Sequence, residues 1–242
     1  MAVNIRPYII INGKSSMEVN GLMISELPPI TKPQMRVTAE EIDGRDGDIV
    51  TELGFSAYDK DISIGLYNEF DIDEVIDFLN QSGKITFSNE PDKYYNFAQY
   101  NGIDFEKLIK FKTAKVTVHV QPFKFSLNET EKTFNFSSSE TSGELSIRNN
   151  GNYTSRPQIT LTGSGTVNLS INGAQVMVID MSENPVITLD ATAMNAYAPD
   201  TSLMNRHVTG NYDNLVLKVG KNTISYTGTV TKIAINNYSR WL

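Results

Sequence analysis

Cysteine is absent from this 242-residue chain. Disulfides, thiolate metal sites and a cysteine nucleophile are therefore excluded outright. Histidine occurs only twice, at His119 and His207, far apart in sequence. A zinc site would have to recruit carboxylates from elsewhere in the chain. No apolar run approaches the roughly 20 residues that a membrane helix needs. The run Tyr8 to Ile11 is too short even for the core of a signal peptide. No membrane insertion and no cleavable export is expected. An excess of basic residues is also missing: the net charge is -7. Through Ser126 there are 13 Lys and Arg against 19 Asp and Glu, and beyond it 8 against 9. An acidic N-terminal half argues against nucleic-acid binding, which needs a basic footprint.

The catalytic signatures are absent too. There is no G-x-S-x-G elbow, and Gly163-Ser164-Gly165 reads as a turn between strands. No G-x-G-x-x-G precedes a helix, and no G-x-x-x-x-G-K-[ST] occurs. No segment singles out an acid-base pair. The expectation is a protein that is not an enzyme, with no cofactor and no metal.

What the chain does have is alternation. Lys115 to Val120 reads KVTVHV, with the valines on one face and Thr117 and His119 on the other, a half-buried strand. Val167 to Ile179 reads as a hairpin, because Asn172-Gly173 tolerates the positive φ of a type I′ turn. Lys218 to Thr227 reads as two strand patterns with a turn at Gly220-Lys221. One helix stands out, Asp71 to Asn80. Asp71 caps it, Glu74 follows three residues on as in a capping box, and Ile72, Val75, Ile76 and Leu79 form one apolar stripe. Gly83 is expected to end it. A further helical turn at Asp104 to Ile109 is weaker.

A boundary is expected near SLNETE, Ser126 to Glu131, giving domains 1-126 and 127-242. Past it the helix formers thin out. Short strands are expected around Leu145, Ile159, Val167, Val176, Val186, Leu215, Ile224 and Ile233, the pattern of a β-sandwich. Ala191 to Gly210 is too long for a hairpin and reads as a crossover or a functional loop. Tyr94, Tyr95, Tyr100, Tyr197, Tyr212, Tyr226, Tyr238 and Trp241 are aromatics able to stack on sugars, although packing of Trp241 on its own domain is the plainer reading.

The segment Leu27 to Tyr58 is the most distinctive. A lead-in with Pro28, Pro29 and Pro33 precedes an extended run through Met35 and Val37. A charged glycine loop follows, Asp43-Gly44-Arg45-Asp46-Gly47-Asp48. Its carboxylates lack the spacing and distal glutamate of a calcium loop, so a polar turn or a contact loop is the better reading.

This order, with the helix and then ITFSNEPDKYY (Ile85 to Tyr95), resembles the Dit family of siphophage distal tail proteins. The matching elements are Gly44-Arg45-Asp46-Gly47, Ser88-Asn89-Glu90-Pro91, and a C-terminus ending in Arg240-Trp241. The resemblance implies a mainly β fold: an N-terminal β-sandwich with one short α-helix, and a C-terminal galectin-like jelly-roll β-sandwich. It also implies a homo-hexameric ring at the virion tail tip, assembled in the host cytoplasm. That ring would join the tail-tube protein to the tail-associated hub protein, with receptor-binding or baseplate proteins as further partners. Pro28, Pro29, Pro33, Met35, Val37, Asp43, Arg45, Asp46 and Asp48 are then the ring-interface candidates. The alternative is a carbohydrate-binding adsorption module. The histidine, asparagine, arginine and tryptophan cluster of sugar-binding galectins is not found. Asn205, Arg206 and His207 have suitable types and, with Tyr212, are the contact candidates.

Overall fold

The computed structural model describes residues 6–44 and 46–242. It is mainly β, and its chain divides into two compact units meeting at Leu127/Asn128.

Unit 1 holds β1 (Ile9–Ile11), β2 (Lys14–Ser15), β3 (Leu22–Glu26), β4 (Met35–Glu41), β5 (Asp48–Phe55), β6 (Tyr58–Leu66), β7 (Gly83–Phe87), β8 (Lys93–Ala98) and β9 (Thr113–Ser126). Its main sheet runs β2-β1-β7-β8-β9-β6-β3. In register, β6 lies antiparallel to β9, Ile62 beside Val116 and Tyr58 beside Val120. Alternation then sends Ile62, Ile64, Val116, Val118 and Val120 into one buried cluster. Strands β4 and β5 pair only with each other, apart from that sheet.

Two α-helices occur among the described residues, α1 (Ile72–Leu79) and α2 (Phe105–Phe111), one more than the sequence makes plain. Asp71 caps α1 by accepting from the N–H groups of Asp73 and Glu74 at 3.0 and 3.3 Å. Helix α1 seats Val75, Phe78 and Leu79 in the core. Glu74 does not close a capping box. Its carboxylate turns outward to Lys14 Nζ at 2.9 Å and to the Asn20 N–H at 3.2 Å. Gly83 opens β7 instead of ending α1, whose last residue is Leu79. Replacing Asp71 with alanine is expected to cost about 1 kcal/mol, read as a lower denaturant midpoint for unit 1. Helix α2 is short but has its own cap, the Asp104 carboxylate on the Lys107 N–H, and it buries Leu108.

Unit 2 holds β10 (Lys132–Asn135), β11 (Ser142–Asn149), β12 (Gln158–Ile171), β13 (Ala174–Asp180), β14 (Val186–Asp190), β15 (Asn195–Tyr197), β16 (Val208–Gly210), β17 (Gly220–Asn236) and β18 (Arg240–Trp241). Two long strands organise it. The first half of β12, Gln158 to Thr162, pairs with β14 and with the end of β17. Its second half, Asn168 to Ile171, pairs with β13 and with the Ile224–Thr227 part of β17. Register breaks between the halves, at Thr162/Gly163 and Ser164/Asn168. Each long strand thus bends from one layer into the other. One layer is β10-β17-β12-β14-β15, and the second is β11-β17-β12-β13-β16. Ile159, Leu161, Val167, Leu169, Ile224, Ile233 and Ile235 fill the space between.

The Asn172-Gly173 hairpin forms as its sequence implies, both residues having positive φ, 51° and 82°. Three segments differ from expectation, the first being Gly163-Ser164-Gly165, which lies inside β12 instead of forming a turn between strands. Leu215 is buried but follows a 3-10 turn, Tyr212–Asn214, instead of lying in a strand. There is no turn at Gly220-Lys221, because β17 already begins at Gly220. The side chain of Asn222 makes the bend before it, donating to the Lys218 and Gly220 carbonyls. Ala191 to Gly210 does cross from one layer to the other, and on the way its β15, a 3-10 turn at Asn205–His207, and β16 add an edge strand to each layer.

Candidate functional site

The charged segment singled out in the sequence folds as a β-hairpin. Met35 lies opposite Phe55, Ala39 opposite Val50, and Glu41 opposite Asp48, with a bulge after Arg36. The alternation in MRVTAEE and DIVTELGF sets this pairing. The ribbon is exposed along nearly its whole length on both faces. Val37 is 49% exposed, Val50 57% and Leu53 54%; Ile49 and Ile42 are exposed as well. Val37, Ala39 and Val50 share one face by register. Around this apolar strip stand Glu40, Glu41, Asp43, Asp46, Asp48 and Glu52, all exposed. Arg45 lies outside the described residues. No group of three or more metal-ligating side chains occurs among the described residues.

A two-stranded ribbon alone is marginally stable in water. This one is braced at its base. Lys60 Nζ donates to the Pro29 carbonyl at 2.9 Å, and Asn89 Nδ2 to the Pro28 carbonyl at 3.1 Å. The Tyr58 hydroxyl reaches the Thr31 carbonyl at 3.3 Å. The Ser56 N–H closes on the Gln34 carbonyl at 2.8 Å. Phe55 packs edge-on against Phe123 at 5.8 Å. Pro28 and Pro33 are buried, Met35 is half-buried and Pro29 is exposed. Prolines hold the lead-in extended without spending N–H donors. Three side chains then take up its carbonyls.

Sequence reasoning missed this clamp, although Lys60 carries a readable signal. It occupies the apolar phase of YDKDISIGL, two residues from Tyr58 and from Ile62, so its ammonium is drawn inward. It is 4% exposed and stands among the rings of Tyr58, Phe87 and Tyr95 at 5.2 to 5.8 Å. Beside it Lys124 Nζ pairs with Glu90 at 2.8 Å, both largely buried. Burial lowers the Lys60 ammonium from 10.5 to about 8, against the pull of Glu90 and with the help of Lys124.

The sign follows from linkage. Between about pH 8 and pH 10 the unfolded chain holds a proton on Lys60 that the folded chain has released. Stability therefore rises with pH across that window. Above it Tyr95 reverses the trend: burial and nearby Tyr58 and Glu90 push its phenol up, so only the unfolded chain ionises there. The unit 1 melting temperature is expected to climb from pH 8 to about pH 10. Lys60→Met should flatten that climb, and an unchanged slope would count against the assignment.

In unit 2 the contact candidates do not converge. Asn205 turns its Oδ1 inward to accept the Ala196 N–H at 2.6 Å, a bond that shapes the loop. Arg206 and His207 gather on Glu183, at 3.0 and 3.3 Å. Tyr212 packs against the core. Its buried hydroxyl has no partner among the described residues. Burial, and then the Asp190 carboxylate, push that phenol up to about 12. The four side chains are held for three different local reasons.

No protein-family model and no curated protein sequence matches the chain. The likeness lies in the backbone. The Dit protein of phage SPP1 aligns over 98% of this chain and 99% of its own, with a TM-score of 0.66 at 15% identity. The chain has the Dit fold. SPP1 Dit is described as a paradigm of the hub adsorption apparatus in phages that infect Gram-positive bacteria. Two phage P2 baseplate structures, in the activated conformation with calcium and with strontium, contain chains with a TM-score of 0.49. They cover 96% and 95% of this chain at 9% and 10% identity. At 15% identity the shared fold is built here mostly from different side chains.

Proposed function

We propose that the chain is a structural component of a phage tail tip, acting by assembly. In this reading it closes into a homo-hexameric ring. The ring joins the tail-tube protein to the tail-associated hub protein, and unit 2 serves as an attachment point for receptor-binding or baseplate proteins. The exposed β4–β5 ribbon carries the proposal. An apolar strip on a marginal ribbon calls for a cover, and braced strands project it as a fixed shape. A head-to-tail contact that repeats by rotation supplies such a cover to every copy while leaving none unmatched. The end-to-end likeness to SPP1 Dit supports the same reading.

Within it the candidate residues divide. Val37, Asp43, Asp46 and Asp48 lie on the exposed ribbon and meet the neighbour. Pro28 and Pro33 are buried, and with Met35 and the braced Pro29 they hold the base. The acidic ribbon favours a basic receiving surface, which would steer encounter and weaken with salt. Neither nucleic acid nor membrane insertion enters this role. No helix of the described residues is long and apolar enough to cross a membrane.

Light scattering on the purified chain, with negative-stain images of the same peak, tests the proposal. A mass of six chains and a ring with a central channel is expected. A monomer that forms no ring at high concentration, or beside its tail partners, would sink it.

A further inference from the structure

One face of the β4–β5 ribbon carries charge of a single sign. Directly opposite residues share a face, so Val37 stands with Glu52, Ala39 with Val50, and Glu41 with Asp48. The face is thus three small apolar side chains flanked by three carboxylates, all exposed. Arg36, at the bulge, turns back to the Leu53 carbonyl at 3.3 Å. A surface of this kind fits a partner that offers one bulky apolar group among cations.

Unit 1 carries such a surface itself. Helix α2 buries Leu108, while Lys107, Lys110 and Phe111, at i, i+3 and i+4, share another side of it. Phe111 is 61% exposed, and the Lys110 ammonium lies 5.4 Å from its ring centre. Lys107 reaches Asp104 at 3.3 Å, but both are exposed, so little of its charge is spent there. Lys112 follows at the helix end, over the Phe70 ring at 4.1 Å. Neither Lys110 nor Lys112 enters an ion pair among the described residues. Glu106 is the one carboxylate of the helix, against its two lysines. The helix and the ribbon sit at opposite ends of one strand pair. The ribbon joins β6 where Tyr58 lies beside Val120, and α2 joins β9 where Gly65 lies beside Thr113. There the Lys112 carbonyl accepts the Leu66 N–H at 2.9 Å. The stretch of β6 between the two ends spans roughly 24 Å. A surface at one end and its complement at the other is what a head-to-tail contact requires, because each copy then gives one and receives one.

We propose that the α2 side of one copy receives the ribbon face of the next. Phe111 covers Val37, Ala39 and Val50, while Lys107, Lys110 and Lys112 meet Glu41, Asp48 and Glu52. This contact rests on the ring reading above and supplies its second surface. A desolvated aromatic ring at the middle of a contact carries much of its energy. The flanking ion pairs set register and encounter rate more than affinity. With three ammonium groups matched to three carboxylates, no cation is left over for a further carboxylate on the ribbon.

Charge reversal on each side, read by light scattering on the intact chain, tests it. Lys107→Glu with Lys110→Glu, and separately Glu41→Lys with Glu52→Lys, set like charges face to face. Each pair should raise the concentration needed for ring closure at least about a hundredfold, and Phe111→Ala about tenfold. All four charge substitutions in one chain restore the match of signs and should restore the ring. A wild-type hexamer whose ring survives both the α2 reversal and Phe111→Ala would overturn the contact and leave the ring reading standing. So would a folded fourfold variant that stays monomeric. A wild type that closes no ring fails at the ring reading itself, and the α2 contact falls with it. Because the chain has no cysteine, Ala39→Cys combined with Lys110→Cys gives a second readout that needs no reversed charge. A short bismaleimide should link successive chains into a ladder that reaches the hexamer, which neither single cysteine forms. A hexameric double-cysteine variant that gives no ladder would also overturn the contact.

Discussion

With Val37 and Val50 both replaced by aspartate, the chain is expected to stay folded and to lose its ring. These residues share one face of the β4–β5 ribbon and are about half exposed within a single chain. The substitutions therefore remove no core contact, and the melting temperature should hold. In a ring the same face is covered. Burying an unpaired carboxylate there costs several kcal/mol, and each 1.4 kcal/mol weakens a contact about tenfold. Two carboxylates at every junction, added beside Glu52 and Asp48, exceed what a standard interface tolerates. Sedimentation or light scattering should then report a monomer at concentrations where wild type is a hexamer. Glu52→Gln serves as the counterpart, relieving charge on the same face without apolar loss. A double aspartate variant that still closes its ring would remove the ribbon from the interface and overturn the assignment.

Much of this was legible in the sequence, for identifiable reasons. Alternation in KVTVHV and the Asn172-Gly173 turn are local signals, and both formed as written. The capped stripe of α1 is local too, though its Glu74 was claimed by Lys14, which lies 60 residues earlier. That pairing depends on how the strands stack, which no window of the sequence displays. The ribbon was visible as a charged loop between extended runs. Its isolation from the main sheet was not, because pairing is a long-range choice. The clamp was half visible: a lysine in the apolar phase of a strand announces a buried ammonium, but not the Pro29 carbonyl that receives it. In unit 2 the reading followed residue types. Asn205, Arg206 and His207 are adjacent in sequence, yet Asn205 turns to the Ala196 N–H while Arg206 and His207 share Glu183.

The bend of the two long strands should be the most sensitive point of unit 2. A Cβ at Gly228 would overlap the Thr166 carbonyl, and its φ is +111°. A Cβ at Gly163 would overlap the Thr229 carbonyl, but its φ lies outside the left-handed range. Gly173 has φ +82° and nothing near its missing Cβ. Alanine at the three sites therefore separates two costs. Gly173→Ala meets backbone strain alone, about 1 kcal/mol. Gly163→Ala meets close approach alone, and the obstacle is backbone, which yields only if the strands part; about 2 kcal/mol is expected. Gly228→Ala meets both and should lose about 3 kcal/mol or more, lowering the unit 2 melting temperature by about 10 °C. Unit 1 should melt unchanged, because its core cluster contains none of these residues. Calorimetry on the intact chain reads all three variants against one reference. Equal losses would mean that the bend is not held by close approach and that φ alone sets the cost. The ordering Gly228, Gly163, Gly173 would place the junction of the two layers at the crossing of β12 and β17, where a glycine on each strand lets a partner's carbonyl come within reach.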